Sequence, residues 1–249
     1  STLDRSSAAS DVYKRQTVQN TLGVQAVHPV PAELVGEQMQ AVMEDLRPDA
    51  IKIGMTGNVE IISEIARLLH QYSPRQVVLD PVMVSTSGHN LMTDEAVEAI
   101  CTLLLPEVSL VTPNLHEAAV LLQQPIHTVD DMEHAAHLVY EKYHCACLVK
   151  GGHLTGNEMC DVLYDGHELH LFGARRIHSG NLHGTGCTLS SAIATFLAQG
   201  FPLYEAVELA KTYITKAIEA GKDLHIGQGN GPLCHFPYLV NPVNPLTEE

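Results

Sequence analysis

Residues 183–200 read HGTGCTLSSAIATFLAQG, a glycine-rich loop followed by a run of small and apolar residues. Gly184 and Gly186 allow the backbone to turn sharply and to approach a ligand closely. The following run predicts a helix over residues 187–199, whose first turn offers unpaired N–H groups and the positive end of the helix dipole. Loop and helix start together favour an anion site suited to phosphate, although two glycines are also compatible with a tight turn that lets the helix pack.

Cys187 falls in the first turn of this predicted helix. A thiol at a helix N-terminus can have a lowered pKa, because the helix dipole favours the thiolate. Cys187 can therefore act as a base toward a substrate hydroxyl, or it can pack as a small apolar residue, and the sequence leaves both open. In a phosphoryl transfer with a loose transition state, such a base matters less than positioning and charge stabilisation.

Strand and helix patterns alternate from residue 32 onward. We predict strands at residues 50–55, 76–83, 108–114 and 145–152, a hairpin turned at Asp165-Gly166, and helices at 31–46, 58–72, 115–122, 129–143, 187–199 and 203–220, with a further helix opening at Thr93. Such alternation predicts one α/β domain with a mostly parallel sheet and helices on both faces. Ligands of these sheets bind beyond the carboxyl ends of the strands.

The composition is compatible with a single domain and excludes some partners. The chain has 249 residues, 45% of them hydrophobic, which is enough for one α/β core. A formal net charge of -15 makes nucleic acid and anionic membranes unexpected partners. No apolar run approaches the length of a bilayer span. The six cysteines lie in apolar segments or near glycine loops, which predicts reduced thiols in a cytoplasmic protein.

Polar residues follow three of the predicted strands. Asn114 and Glu117, in TPNLHE, lie three residues apart across a predicted helix start. They can hold a hydrated magnesium ion carried by a nucleotide, or they can form a capping box. Asp80 is a further acidic candidate or a turn residue, and Lys150 can meet a nucleotide phosphate or be an ordinary strand-end lysine. Together with the glycine loop, these residues predict a phosphotransferase that uses a magnesium–nucleotide complex.

Seven motifs then support a resemblance to a known family. In chain order they are VQNTLGVQAV, KIGM, DPVMVSTSG, TPNLHEA, VKGGHL, HGTGCTLSSAIA and GQGNGPLCHF. In combination they resemble the hydroxymethylpyrimidine/phosphomethylpyrimidine kinases, the thiamin-biosynthesis branch of the ribokinase-like superfamily, over residues 17–240. The resemblance implies an ATP-dependent kinase. Such a kinase phosphorylates 4-amino-5-hydroxymethyl-2-methylpyrimidine and then converts the monophosphate to the diphosphate.

The resemblance also implies roles for single residues. Gln19 would contact the pyrimidine, and Met55 and Val82 would line its pocket. The anion hole over the transferred phosphate, with Cys187 in the place of the catalytic base, would consist of Gly184, Thr185, Gly186 and Cys187. Magnesium and phosphates would be organised by Asp80, Asn114 and Glu117, and the nucleotide would be bound by Lys150, Asn114 and Thr185. The implied cofactors are ATP, Mg²⁺ and a monovalent cation, and the implied assembly is a homodimer.

The start of the chain departs from the family pattern. Residues 1–16, STLDRSSAASDVYKRQ, have no clear period, and DVYKRQ resembles the translation of a sequencing-library adapter. We expect a non-native tail there, with a natural disordered tail as the alternative. The family's first strand–helix–strand has no counterpart, so the kinase domain at 17–249 is expected to be incomplete and nearly inactive.

Two other functions compete with the pyrimidine kinase. Vitamin B6 kinases share the scaffold, and some carry the same cysteine loop. The DPVMVSTSG and QNT segments favour the pyrimidine over pyridoxine or pyridoxal. A protein that binds a nucleotide without transferring phosphate is the second alternative.

Overall fold

A computed structural model describes residues 17–83, 92–152 and 158–237 of the chain. The predicted tail at 1–16 lies outside these residues, as does the end of the DPVMVSTSG motif. In the described ranges the strands are β1 (Thr17–Asn20), β2 (Gly23–Val27), β3 (Ile51–Ile53), β4 (Val77–Leu79), β5 (Leu110–Val111), β6 (Ala146–Val149), β7 (Glu158–Tyr164) and β8 (Leu169–Arg175). The α-helices there are α1 (Ala32–Asp45), α2 (Val59–Tyr72), α3 (Asp94–Ala99), α4 (Leu115–Leu122), α5 (Val129–Tyr143), α6 (Thr185–Ala198) and α7 (Leu203–Gly221).

Over the described residues, β3 to β8 form one six-stranded sheet in sequential order. Neighbouring strands from β3 to β6 are parallel, and β7 and β8 are antiparallel. The prediction of a mostly parallel α/β sheet is confirmed. Because the carboxyl ends of β3 to β6 meet at one edge, the polar residues that follow these strands are brought to the same edge.

Helices cover both faces of this sheet, as predicted. Val77, Leu79 and Val111 belong to a buried cluster that includes residues of α1 to α5. The alternate residues Val78 and Leu110 belong to a second buried cluster with α6 and α7. This alternation is the period of two expected of a strand, and each fully buried aliphatic side chain contributes about 1.5–3 kcal/mol to folding.

Local signals explain where the helices begin. Asn58 accepts a hydrogen bond from the N–H of Ile61 (3.0 Å), and Thr93 accepts one from the N–H of Ala96 (3.3 Å). These side chains satisfy N–H groups that lack an intrahelical partner. The bounds predicted for α4 and α5 match the structure, whereas the strand predicted at 76–83 ends at Leu79.

A separate hairpin of β1 and β2 precedes α1, and the sequence analysis did not predict it. Its turn residue Thr21 accepts hydrogen bonds through Oγ1 from the N–H groups of Gln228 (3.1 Å) and Gly229 (3.2 Å). Its carbonyl accepts a third from Asn230 (2.9 Å). The carbonyl of Gly231 in turn accepts from the N–H of His183 (3.1 Å). The GQGNGP loop therefore links the hairpin to the glycine loop before α6.

None of the helices in the described ranges is long and apolar enough to cross a membrane.

Candidate active site

The glycine loop places the start of α6 at the edge of the sheet. Gly184 is the N-cap and has a φ of 84°, a left-handed conformation that favours glycine. The helix begins at Thr185, two residues earlier than predicted. The Thr185 hydroxyl donates to the carbonyl of Leu182 (2.7 Å), so this side chain holds the turn together. The first N–H groups of α6 are thus presented by a fixed loop.

A buried ion pair lies beneath this loop. Asp80, directly after β4, is 2% exposed, and its Oδ1 lies 2.7 Å from Nζ of Lys150, which follows β6. The hydroxyl of Thr112 donates to the same oxygen (3.3 Å). Burial raises the pKa of Asp80, but attraction to Lys150 and Lys52 outweighs burial and holds it below its ordinary value. Asp80 is therefore ionised at neutral pH.

Lys150 is held as a cation by the two carboxylates around it. Burial alone would lower its pKa, but Asp80 and Glu117 raise the pKa above its ordinary value. The Oε2 atom of Glu117 lies 4.0 Å from Nζ. Lys150 also forms a parallel bridge with Asn114, and its N–H donates to the carbonyl of Pro113 (2.8 Å). The backbone pairing of the strand ends thus fixes the position of this ammonium group.

Gly186 brings the glycine loop and the ion pair together. A Cβ atom at this position would lie 3.3 Å from Nζ of Lys150 and 3.6 Å from Oδ2 of Asp80. The backbone of the first turn of α6 therefore passes directly over the pair. Unpaired N–H groups, a helix dipole and an ammonium group converge there, as binding of a phosphate requires.

Asn114 and Glu117 form the capping box that the sequence left open as an alternative. The N–H of Glu117 donates to Oδ1 of Asn114 (2.9 Å), and the N–H of Asn114 donates to Oε2 of Glu117 (2.8 Å). Burial raises the pKa of Glu117, and the Asp80 charge adds to this, against the effect of Lys150. The capping role does not remove Glu117 from the site, since the same carboxylate faces Lys150.

Of the two possibilities that the sequence left open for Cys187, a lowered pKa is not the one found. Cys187 is exposed in the first turn of α6, yet nearby protein atoms withhold water from its thiol and raise its pKa. The charge of Asp80 and a hydrogen bond to that carboxylate raise it further, against the opposing effect of Lys52 and Lys150. The raised pKa means that the resting thiol carries its proton at neutral pH.

The three residues expected around the pyrimidine lie at two different sheets. Met55 and Val82 are half-buried and follow β3 and β4, neighbouring strands whose carboxyl ends meet at the site. The N–H of Val82 donates to the carbonyl of Asp80 (2.8 Å). Gln19 is exposed on β1, in the separate hairpin. Its part in substrate binding stays a prediction.

Lys52, which lowers the pKa values of both Asp80 and Cys187, was not among the predicted site residues. It lies in β3, within a segment taken only as a buried apolar strand. The alternation of residues in AIKIGM could have indicated it. Because a strand has a period of two, Lys52 and Gly54 lie on the same face of the sheet.

A second ion pair, between Asp161 and Lys211, was also missed. Asp161 lies in β7 and is 7% exposed, and its Oδ1 accepts from the N–H of Gly151 (2.8 Å). Lys211, in α7, is paired with the other oxygen. Because Gly151 directly follows Lys150, this pair anchors the strand end that carries the site lysine. An acidic residue flanked by apolar residues in this strand was the sequence signal.

A cavity of about 580 Å³ opens beside the first turns of α6. Its lining includes Gly184, Cys187, Thr188, Ser191, Tyr213 and His235. Cys187 thus faces a space of the size that small-molecule sites occupy. Among the described residues, no group of three or more His, Cys, Asp and Glu side chains is placed to hold a metal ion. The two carboxylates of the site fit a magnesium ion that is bound mainly by nucleotide phosphates.

Comparisons with known proteins identify the family of the chain. The profile for phosphomethylpyrimidine kinase matches residues 6–234. The chain belongs to the phosphomethylpyrimidine kinase family. The hydroxymethylpyrimidine/phosphomethylpyrimidine kinase of Rhizobium meliloti is 49% identical over 221 residues, which cover 88% of this chain and 83% of the relative.

Solved structures agree with this assignment and with the fold. The phosphomethylpyrimidine kinase of Clostridium difficile is 39% identical, with a TM-score of 0.74, over 87% of this chain and 91% of that one. The pyridoxal kinase of Bacillus subtilis, solved as an ADP complex, is 32% identical with a TM-score of 0.81, over 91% and 84%. The ribokinase-like α/β fold predicted from the sequence is confirmed.

Proposed function

We propose that the chain transfers the γ-phosphate of ATP to the hydroxymethyl group of 4-amino-5-hydroxymethyl-2-methylpyrimidine, and then to the resulting monophosphate, in thiamin biosynthesis. The observation that carries this proposal is the passage of the Gly186 backbone over the Asp80–Lys150 ion pair. That arrangement concentrates positive charge and hydrogen-bond donors where a phosphoryl group would move. The identity of the substrate is inferred from the family relatives.

The transfer depends on charge stabilisation by groups already in place. In the reaction, the acceptor oxygen bonds to the γ-phosphorus, the bond between that phosphorus and ADP breaks, and the hydroxyl proton is released. Lys150 and the N–H group of Gly186 would stabilise the negative charge on the moving phosphoryl group. Asp80 keeps Lys150 protonated and fixed.

Cys187 would face the acceptor hydroxyl from the opposite side of the loop. Because its thiol carries a proton at rest, little thiolate is available to accept the hydroxyl proton, and positioning contributes more to the rate than proton abstraction. Gln19, Met55 and Val82 would orient the pyrimidine ring.

Asp80, Asn114 and Glu117 would hold magnesium, directly or through its waters. When bound, the ion neutralises charge on the nucleotide phosphates. The variant Glu117→Gln tests this role, because glutamine preserves the capping box but removes the charge. We expect little change in melting temperature and about a tenfold higher magnesium concentration for half-maximal rate. An unchanged magnesium requirement would show that Glu117 acts only as a capping residue.

A vitamin B6 kinase is the second candidate, because the pyridoxal kinase of Bacillus subtilis superposes with a TM-score of 0.81. The QNT segment favours the pyrimidine. A monovalent-cation requirement, a homodimer and a cytoplasmic location remain proposals. Nucleic acid and membranes remain unexpected partners.

Phosphorus NMR of the chain with Mg-ATP, offered hydroxymethylpyrimidine and pyridoxine in parallel, tests the function. Sequential formation of pyrimidine mono- and diphosphate is expected. Preferential transfer to pyridoxine would favour the vitamin B6 kinase. ATP binding without transfer to either acceptor would leave a nucleotide-binding protein.

A further inference from the structure

Lys52 is the second cation near the transferred phosphoryl group, and neither transfer step described above uses it. Ile53 packs into the cluster formed with α1 to α5. Its strand neighbours Lys52 and Gly54 therefore project from the other face of the sheet, which α6 covers. Helix α6 also contacts β3 directly. Lys52 is thus on the same side of the sheet as the glycine loop.

The ammonium group of Lys52 lies over Gly54. A Cβ atom at Gly54 would lie 2.7 Å from Nζ of Lys52, so the absence of a side chain there leaves room for the ammonium group. The N–H of Asp80 donates to the carbonyl of Ile53 (2.9 Å), which places Gly54 beside Asp80 across the two strands. Lys52 consequently lies on the β3 side of Asp80 and lowers the pKa values of Asp80 and Cys187.

The two lysines approach Asp80 from opposite directions in the sheet. Strand order places β4, which ends at Asp80, between β3 on one side and β5 and β6 on the other. Lys150 comes from the β6 side and bonds Asp80 at 2.7 Å. Lys52 comes from the β3 side, where Met55 follows the strand and the acceptor is proposed to bind.

The two transfer steps differ in the charge of the acceptor. In the first step the acceptor is a neutral alcohol. In the second it is a phosphate monoester that is largely dianionic at pH 7, and it must approach the negatively charged γ-phosphate. A cation on the acceptor side lowers that repulsion and forms a charge-assisted hydrogen bond with the monoester.

We propose that Lys52 binds the phosphate of the monophosphorylated acceptor and so serves the second transfer but not the first. This inference rests on the proposed function, because it requires an acceptor that is phosphorylated twice. Lys150 is the donor-side counterpart, already bound to Asp80 and close to Glu117. One lysine would then serve the donor phosphates and the other the acceptor phosphate.

Two variants separate the charge of Lys52 from its position. Lys52→Met removes the charge and keeps an unbranched chain of similar length. Gly54→Ala keeps the charge, but the added methyl group must displace the ammonium group, which is the flexible end of a side chain. Lys142→Met is the matched control, because Lys142 is exposed in α5 and contacts Tyr143.

Calorimetric titration of the full chain with the pyrimidine alcohol and with its monophosphate provides a readout that does not need turnover. Lys52→Met should weaken monophosphate binding about ten- to a hundredfold, as for a lost hydrogen bond between charged groups. Binding of the alcohol should change by less than about twofold, a contrast that a purely structural defect would not produce. Gly54→Ala should give a smaller loss with the same selectivity, and Lys142→Met should change neither ligand.

Equal losses for both pyrimidines, or no loss for the monophosphate, would overturn the inference while leaving the proposed function intact. Failure of the unmodified chain to bind either pyrimidine would overturn both. The rates of the first and second transfers, followed by phosphorus NMR, should show the same selective loss in the second step.

Discussion

The strand-end site (Asp80, Lys150 and Glu117) and the β1–β2 hairpin are connected to the rest of the protein in different ways. Asp80 and Lys150 follow strands of the central sheet, Glu117 lies in the capping box of α4, and Lys150 pairs with both carboxylates. The hairpin forms its own two-stranded sheet and is linked to the 228–230 segment through Thr21. The charge-stabilising part of the site is therefore built into the core, whereas Gln19 depends on a local contact.

This difference implies that substitutions in the two regions should have different effects. A change in the strand-end site disturbs buried charges that have few other partners of opposite charge. A change at the hairpin disturbs exposed backbone hydrogen bonds, whose loss can be limited to local opening. The following substitutions test that contrast.

Lys150→Met should have the largest effect. It leaves the buried Asp80 carboxylate without its 2.7 Å partner, which costs about 3–5 kcal/mol of folding free energy. It also removes charge stabilisation from the transferred phosphoryl group, and turnover should fall about a hundred- to a thousandfold. Denaturant unfolding and transfer rates measure the two effects.

The double variant Lys150→Met/Asp80→Asn separates the two roles of Lys150. Removing the orphaned charge should recover much of the stability but none of the turnover. Wild-type turnover in the single variant would show that Lys150 is only structural.

Gly186→Ala should reduce transfer about ten- to a hundredfold with little loss of stability. Its methyl group would lie 3.3 Å from Nζ of Lys150 and would occupy the place proposed for a phosphate oxygen. Gly173→Ala, in β8, is the control, because a Cβ atom there meets nothing within 4 Å. ATP affinity and the transfer rate measure the effect. If neither changes in Gly186→Ala, the phosphate binds elsewhere.

The sequence predicts the two regions with unequal success for physical reasons. Asn114 and Thr128 carry strong local capping signals, so the bounds of α4 and α5 were predictable. The position of Asp80 followed from the rule that ligands bind beyond parallel strand ends. Lys52 was missed because its neighbourhood depends on a partner strand. The direction of the pKa shift of Cys187 stayed open because burial, its largest cause, and the charge of Asp80 both depend on the fold.

The reactivity of Cys187 tests the electrostatics of the strand-end site with a smaller effect. Because its pKa is raised, only a small fraction is thiolate at pH 7, and this fraction should rise about tenfold per pH unit up to the pKa. Alkylation by iodoacetamide, followed by peptide mass spectrometry from pH 6.5 to 9, measures this slope. The same peptide in denaturant is the control and should react faster at pH 7. A plateau below pH 8 would indicate a lowered pKa.

Thr21→Val should have the smallest effect, and it tests the hairpin directly. Valine keeps the shape of threonine but removes the oxygen that accepts from Gln228 and Gly229, at a cost of about 1 kcal/mol. Because the hairpin has its own sheet, amide exchange should quicken about fivefold in β1, β2 and the 228–230 segment, while β4 and β6 stay protected. Faster exchange across the central sheet would instead show that hairpin and core unfold together. Gln19 would then be held as firmly as the strand-end site, and the two regions would not differ in local stability.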